Sequence, residues 1–535
     1  MDTKALRQKI LDLAIRGKLV PQDPNDEPAS VLLERIREQK KQMVKDGKLK
    51  PKDIKKDTVI FKGDDNLHYE KFPDGTVKCI EDEIPFDLPD GWEWVRLKSV
   101  IHFIRNGASI KQYRDAKGLP ITRIETIATG AIDRNRLGYA NIFEVDKYAS
   151  YILKDYDILM SHINSPKHLG KCALYENKGN EKIIHGMNLL AIRTFSCSLA
   201  KYMCILFRST VFKGFVWEHM KQAVNQASIT TTSISNLLFA IPPVEEQTRI
   251  IDFFDDANKY MIEIDTDKDI IEQDISFAKS KILDLAIHGK LVPQDPNDEP
   301  ASVLLERIRA EKEELIKQGK IKRNKKESVI FKGDDNSYYE SIGDETTNID
   351  DEIPFELPQN WEWSRLQTIC YPITDGTHKT PTYSDTGYIF LSAKNITTGK
   401  INWNDVMYIP KSLHDELYSR ISPQINDILL AKNGTTGVAA IVDRECEFDI
   451  YVTLALLRVI SNNDILPQYL LKIIASNTIQ DYFNSSLKGI GVPNLHLEHI
   501  RTTLIPIPPI NEQKRISKKV DQLFFLLDSI AKNAN

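Results

Sequence analysis

The sequence predicts two globular domains separated by two long antiparallel coiled-coil helices, closed into a pseudo-twofold circular repeat. Three observations carry that prediction: a long internal repeat, a heptad seam joining the repeats, and a split copy of the seam at the chain ends. Residues 9–37 and 281–309 match at 28 of 29 positions, differing only at Arg16 and His288, with an offset of 272. The match returns as VIFKGDDN (59–66 and 329–336) and as DEIPFDLPDGWEW (82–94) against DEIPFELPQNWEW (351–363). It closes with IPPVEEQTRI (241–250) against IPPINEQKRI (507–516). Self-similarity at a fixed offset marks a repeated structural unit. Between the anchors, segments 95–240 and 364–506 share little identity. Drift alone would not spare a frame and scramble only its inserts. The frame is therefore read as meeting the same partner twice, and each insert as reading something different.

In chain order, residues 1–20 form a helix that completes the C-terminal coiled coil, and 21–80 are a linker of the repeat. The first domain spans 81–243, the central coiled-coil helix 244–290, a second linker 291–349, the second domain 350–509, and the C-terminal helix 510–535. The seam of the central helix is Ile250, Phe254, Ala257, Met261, Ile264, Ile271, Ile275, Ala278, Ile282 and Leu285, with Lys268 at the one skipped position. Alternating steps of four and three are an a/d heptad pattern. Gly289 is placed just past the helix end, with Pro293 beyond. The C-terminus starts the same seam with Ile516, Val520, Leu523, Leu527 and Ile530, and the N-terminus supplies its missing part with Leu6, Ile10 and Leu13 before Gly17. The last and first helices together thus equal the central one. About 38 residues at ~1.5 Å each give a central helix of ~57 Å. The lysine-rich stretches 37–56 and 309–326 are read as solvated helix and linker.

The chain has 71 Lys/Arg against 76 Asp/Glu, a formal net charge of −5, which excludes a uniformly basic nucleic-acid coat. Divided, the sum changes. Residues 91–240 carry 20 basic and 11 acidic residues, so +9; residues 361–506 carry 12 and 14, so −2; residues 244–290 carry 6 and 12, so −6. The first insert is basic enough to approach a phosphate backbone, and the acidic excess sits on the frame. Six cysteines include no C-x-x-C pair, which removes support for a zinc ribbon or a redox motif. The charged start MDTKALRQKI is no signal peptide, and no run approaches the ~18 apolar residues of a membrane span. A cytoplasmic protein with reduced thiols and no membrane partner is expected.

Aligned from WEW, the inserts share loop positions. NGASIKQY, with Arg105, Asn106, Ser109, Lys111 and Tyr113, answers DGTHKTPTY, with Thr377, His378, Lys379, Thr380 and Tyr383. Arg123, Glu125 and Thr126 fall opposite Ser392, Lys394 and Asn395. DILMSHINSPKHLGK, with His162, Asn164, Lys167, His168 and Lys171, answers DILLAKNGTTG, with Lys432, Asn433, Thr435 and Thr436. QASI, with Gln226 and Ser228, answers VPNL, with Asn494. Glycine permits close backbone approach, and these side chains suit phosphates and base edges. Trp92, Trp94, Trp361 and Trp363 read as core anchors. No P-loop, no G-x-G-x-x-G after a strand and no amino-methyltransferase tetrad occurs, and Glu176-Asn177-Lys178 lacks the context of a nuclease motif. A catalytic metal site is not expected, and a non-catalytic subunit is.

With two divergent domains in a repeated helical frame, DILLAKNGTTG mid-domain and NLHLEHIRTTLIPIPPINEQKRI entering the last helix, the chain resembles the specificity subunit of a type I restriction–modification system. In the first insert SHINSPKHLGK departs from the G-x-x-G loop, and QASITTTSISNLLFAIPP is a loose version of the pre-helix motif. The resemblance implies that each insert is an α/β target-recognition domain reading one half of a bipartite double-stranded DNA site. It also implies that the helices dock two methyltransferase subunits, with restriction/translocase subunits joining through the complex. S-adenosylmethionine, ATP and Mg²⁺ would bind those partners, and no cofactor would bind this chain. The alternative is a stand-alone DNA- or RNA-binding coiled-coil scaffold.

Overall fold

The computed structural model describes residues 2–114, 117–223, 226–323, 327–487 and 493–534. The chain divides into two compact units, Met1–Asp267 and Lys268–Asn535.

In the first unit the helix Thr3–Ile15 is capped by the Asp2 carboxylate, which accepts from the Ala5 amide at 2.9 Å. It stops where Gly17 turns left-handed (φ +62°) and the Lys18 amide donates back to Leu13 O at 2.9 Å. A helix Ala29–Lys45 and an antiparallel meander of Val59–Lys62, His68–Lys71 and Val77–Cys79 follow. The strand Glu93–Arg96 pairs with Leu238–Ile241 and so joins the entry and exit of the first domain. Between them lies a four-stranded antiparallel sheet in the order Cys172–Leu174, Ile158–Ser161, Leu189–Thr194, Ile101–Asn106. Its central strands carry the apolar runs Ile158–Met160 and Leu189–Ile192 because both faces are covered there. Ile158, Met160, Leu190 and Ile192 enter the large core with the helix Cys197–Leu206, while Leu159, Leu189 and Ala191 enter a second core with Tyr175 and Leu153.

The second unit repeats this plan. It has the helix Ala301–Lys317, the meander Ser328–Lys332, Tyr338–Ile342 and Glu345–Asn348, and the closing pair Glu362–Arg365 with Leu504–Ile507. Its sheet runs Ala439–Ile441, Ile428–Ala431, Leu454–Val459, Cys370–Asp375, again with alternate residues in two cores. A further sheet of Met407–Ile409, Tyr388–Leu391 and Phe448–Ile450 contains one parallel pair.

The central helix runs Val244–Ile287, 44 residues and ~66 Å at ~1.5 Å each, so it starts at the expected residue and exceeds the ~57 Å length estimate. In each unit a long helix segment pairs antiparallel with a second helix. In the second unit, Gly289 at the end of one helix packs on Trp361, whose indole N–H donates to Glu512 (3.1 Å) at the start of the helix Ile510–Ala534. Away from that junction, Lys279 meets Asp528 at 2.5 Å. In the first unit, Gly17 packs on Trp92, which donates to Glu246 (2.9 Å), and Thr3 donates to Asp265 (2.6 Å). The helix pair of each unit therefore takes one helix from the start of its unit and one from its end.

Three expectations need correction. The segments 21–80 and 291–349 are folded pieces of their units rather than linkers. Arg96 from the domain strand holds buried Glu70 of the meander at 2.7 Å, and Arg365 holds Glu340 at 2.7 Å. Nor are the lysine-rich stretches simply solvated: Lys40 is buried between Asp57 (2.7 Å) and Lys98 O (2.6 Å), and Lys312 between Glu327 (2.8 Å) and Gln367 O (2.9 Å). The seam is also only partly buried. Ile10, Ile250, Phe254, Met261, Ile275, Ile516 and Val520 are buried; Ile264, Ile271, Ile282, Leu285, Leu13, Leu523 and Leu527 are half-buried; Leu6 and Ile530 are exposed. Near the domains the buried stripe rotates to Leu11, Ala14 and Ile15, and to Leu283, Ala286 and Ile287, because the helix there packs on its domain as well as on its partner helix.

Candidate nucleic-acid interface

In each unit, three segments far apart in sequence converge at one end of the four-stranded sheet. The first leaves the strand ending at Asn106 or Asp375. A Cβ on Gly107 would overlap the Gly186 carbonyl oxygen, and one on Gly376 the Ile450 carbonyl oxygen, so close backbone approach demands glycine at both. The second leaves the strand ending at Ser161 or Ala431. The third precedes the exit strand and hydrogen-bonds to the second. Ile229 N donates to His162 O at 3.0 Å, and Leu495 N donates to Lys432 O at 2.9 Å. Gln226–Ser228 pairs with Ile163–Asn164, and Asn433 bridges Asn494. Val492 of the VPNL segment lies outside the described residues.

The candidate side chains divide by exposure. Asn106, Ser109, Lys111, Tyr113, Glu125, Lys167, His168, Lys171 and Gln226 are exposed in the first unit, as are His378, Lys379, Thr380, Tyr383, Lys394 and Thr435 in the second. Arg105, Arg123, Asn164, Ser228, Thr377, Ser392, Asn433, Thr436 and Asn494 are half-buried. The Arg105 guanidinium stacks 3.8 Å from the Tyr151 ring, and Tyr383 packs edge-on against Phe390. Lys111 lies over Tyr113 at 5.4 Å, and Lys171 donates to Ala128 O.

Four candidates are buried and do not face outward. Thr126 accepts from the Arg123 amide (2.9 Å) and donates to Arg136 O (3.2 Å). Asn395 accepts from the Ser392 amide (2.9 Å) and donates to Asp405 O (2.7 Å). Both lock a 3₁₀ turn from within, which is why a polar residue recurs there. Lys432 forms an ion pair with Asp375 at 2.5 Å. His162 is 4% exposed and neither ring nitrogen has a partner. Burial pushes its pKa below the usual histidine range, and the neutral imidazole is the stable form.

Sequence reading missed the ion pairs that hold these loops from behind. Asp157 takes Arg193 and the Lys154 amide, and Asp427 takes Arg458 (2.7 Å) and the Gln424 amide (2.8 Å). The shared D-I-L of 157–159 and 427–429 was their signal.

A family model described as the type I restriction modification DNA specificity domain matches residues 89–273 and 358–535. The chain belongs to that family. The EcoAI type I restriction enzyme specificity subunit of Escherichia coli is 31% identical over 97% of this chain and 88% of its own length. The EcoEI specificity subunit, also from Escherichia coli, is 27% identical over 98% and 90%. A solved chain from work on complex assembly and conformational transition of the type I R-M system covers 84% of this chain and 94% of its own, with TM-score 0.50 and 16% identity. That likeness speaks to the fold. As a type I specificity subunit, the chain serves DNA sequence recognition within a restriction–modification complex, and catalysis resides in other subunits. Among the described residues no helix is long and apolar enough to cross a membrane, and no His/Cys/Asp/Glu group is arranged to hold a metal ion.

Proposed function

We propose that each unit's loop cluster reads one half of a bipartite, asymmetric double-stranded DNA site. One observation carries this reading: the same backbone scaffold brings three loops together in each unit, yet the outward side chains differ. Lys111, Lys167 and Lys171 stand in one cluster, and His378, Lys379 and Thr435 in the other. A conserved scaffold with altered donors and acceptors is what two readers of different bases need. The helices dock two methyltransferase subunits, one per repeat of the frame, and restriction/translocase subunits join through them. S-adenosylmethionine, ATP and Mg²⁺ are bound by those partners and not by this chain, and the complex acts in the cytoplasm. The test is genome-wide mapping of methylated adenines in a host with and without this gene, expressed with its methyltransferase. A split motif that appears only with the gene supports the reading. A chain that methylates DNA alone with S-adenosylmethionine, or that co-purifies with no methyltransferase, overturns it.

A further inference from the structure

The two loop clusters share their backbone bonds but not their centres. In the second unit the centre is charged. Asp375, at the end of the strand Cys370–Asp375, is 7% exposed, and Lys432, where the second loop begins, is 5% exposed. Their side chains meet at 2.5 Å, and the other Asp375 oxygen lies 3.4 Å from His378 Nε2. Arg420 donates to Asp375 O at 3.0 Å. The Lys432 carbonyl accepts from Leu495 of the third loop and from the Thr436 hydroxyl within its own loop. One buried pair thus joins the first loop to the second at the residue that also holds the third. In the first unit the same two positions are Asn106 and His162, which share no hydrogen bond among the described residues.

A lysine held by a buried carboxylate is directed at that partner rather than outward at a phosphate, and the pair's short, directional contact fixes the distance between two loops. We propose that Lys432 and Asp375 are positioning residues: a clasp that holds the reader loops of the second domain in register. Base discrimination at that domain's half-site depends on the clasp, and discrimination by the first domain does not. The proposal rests on the reading of each cluster as the reader of one half-site.

The test maps modified motifs with the complete complex carrying Lys432→Arg, Lys432→Met, or the double change Asp375→Asn with Lys432→Met. The double variant removes both charges together, so no buried charge is stranded and the chain is expected to fold. Its expected signature is roughly ten-fold or greater loss of discrimination at one or more bases of a single half-site, with the other half-site as strict as in the wild type. Lys432→Arg keeps the ion pair and is expected to keep the motif. A double variant that melts with the wild type and modifies an unrelaxed motif overturns the clasp alone. Relaxation of both half-sites alike also overturns it. A wild-type motif that is not split overturns the clasp and the reading of function together.

Discussion

At the residue scale, burial sorts the polar side chains of the loops into those that can meet DNA and those that build the loop. Thr126 and Asn395 build it. We expect Thr126→Val to cost about 1–3 kcal/mol, because it unpairs both the Arg123 amide and the Arg136 carbonyl, and to leave the recognised motif unchanged. A methylome with an altered first half-site would return Thr126 to the readers. Arg96 and Arg365 act further back, where each spans a buried glutamate and a half-exposed one. Burial alone would raise the Glu70 and Glu340 carboxyls, but the guanidinium bonds prevail and both pKa values are lowered. Ionised in the fold, they contribute stability that is fully present above the ordinary glutamate pKa of ~4.3, starts to fall below it, and is lost as the pH drops through the lowered folded-state pKa. Thermal melting of the full chain should therefore decline on acidification below about pH 4.3, and less steeply in a variant with Glu340→Gln. Arg365→Met should cost roughly 3–5 kcal/mol in the same melt by stranding Glu340.

At the element scale, the helix stops decide where each helix pair meets its domain. Gly289 lies at φ +65° with the Lys290 amide bonded to Leu285 O, and a Cβ there would come within 2.5 Å of Pro358 Cγ. Gly17 repeats the arrangement against Pro89. We expect Gly289→Ala to destabilise the chain by at least ~1–2 kcal/mol, the cost of a left-handed alanine before any clash is relieved. A denaturant midpoint equal to that of the wild type would count against a tight junction. The seam behaves differently. Its heptad positions at the helix starts, Ile250, Phe254, Ile516 and Val520, belong to the domain cores, whereas Leu523 and Leu527 stay half-buried.

At the scale of the whole molecule, the repeat separates what is constant from what varies. Replacing residues 364–506 with the equivalent segment of another specificity subunit should change one half-site of the modified motif and leave the other intact. A methylome with both halves altered would refute modular reading. The central helix, Val244–Ile287, contains residues of both units without a break. Inserting one heptad near Ile264 should lengthen the untouched spacer of the motif, and an unchanged spacer would show that helix length does not set it.

What is periodic and what is repeated could be read from the amino acids alone. The heptads and the two glycine stops were legible because each is a local pattern, a helix writing its buried face at fixed spacing, and the 272-residue offset because identical letters recur without reference to the fold. The loop positions were legible as an alignment of the two inserts. Their roles were not, because Thr126, Asn395 and Lys432 look like surface readers until their partners arrive from Arg136, Asp405 and Asp375. The same holds for the segments read as linkers, which fold because Arg96 and Arg365 reach them from residues elsewhere in the chain. Which polar group faces water and which is paired inside depends on long-range contacts. Those contacts form when distant segments pack together, so no local stretch of residues specifies them.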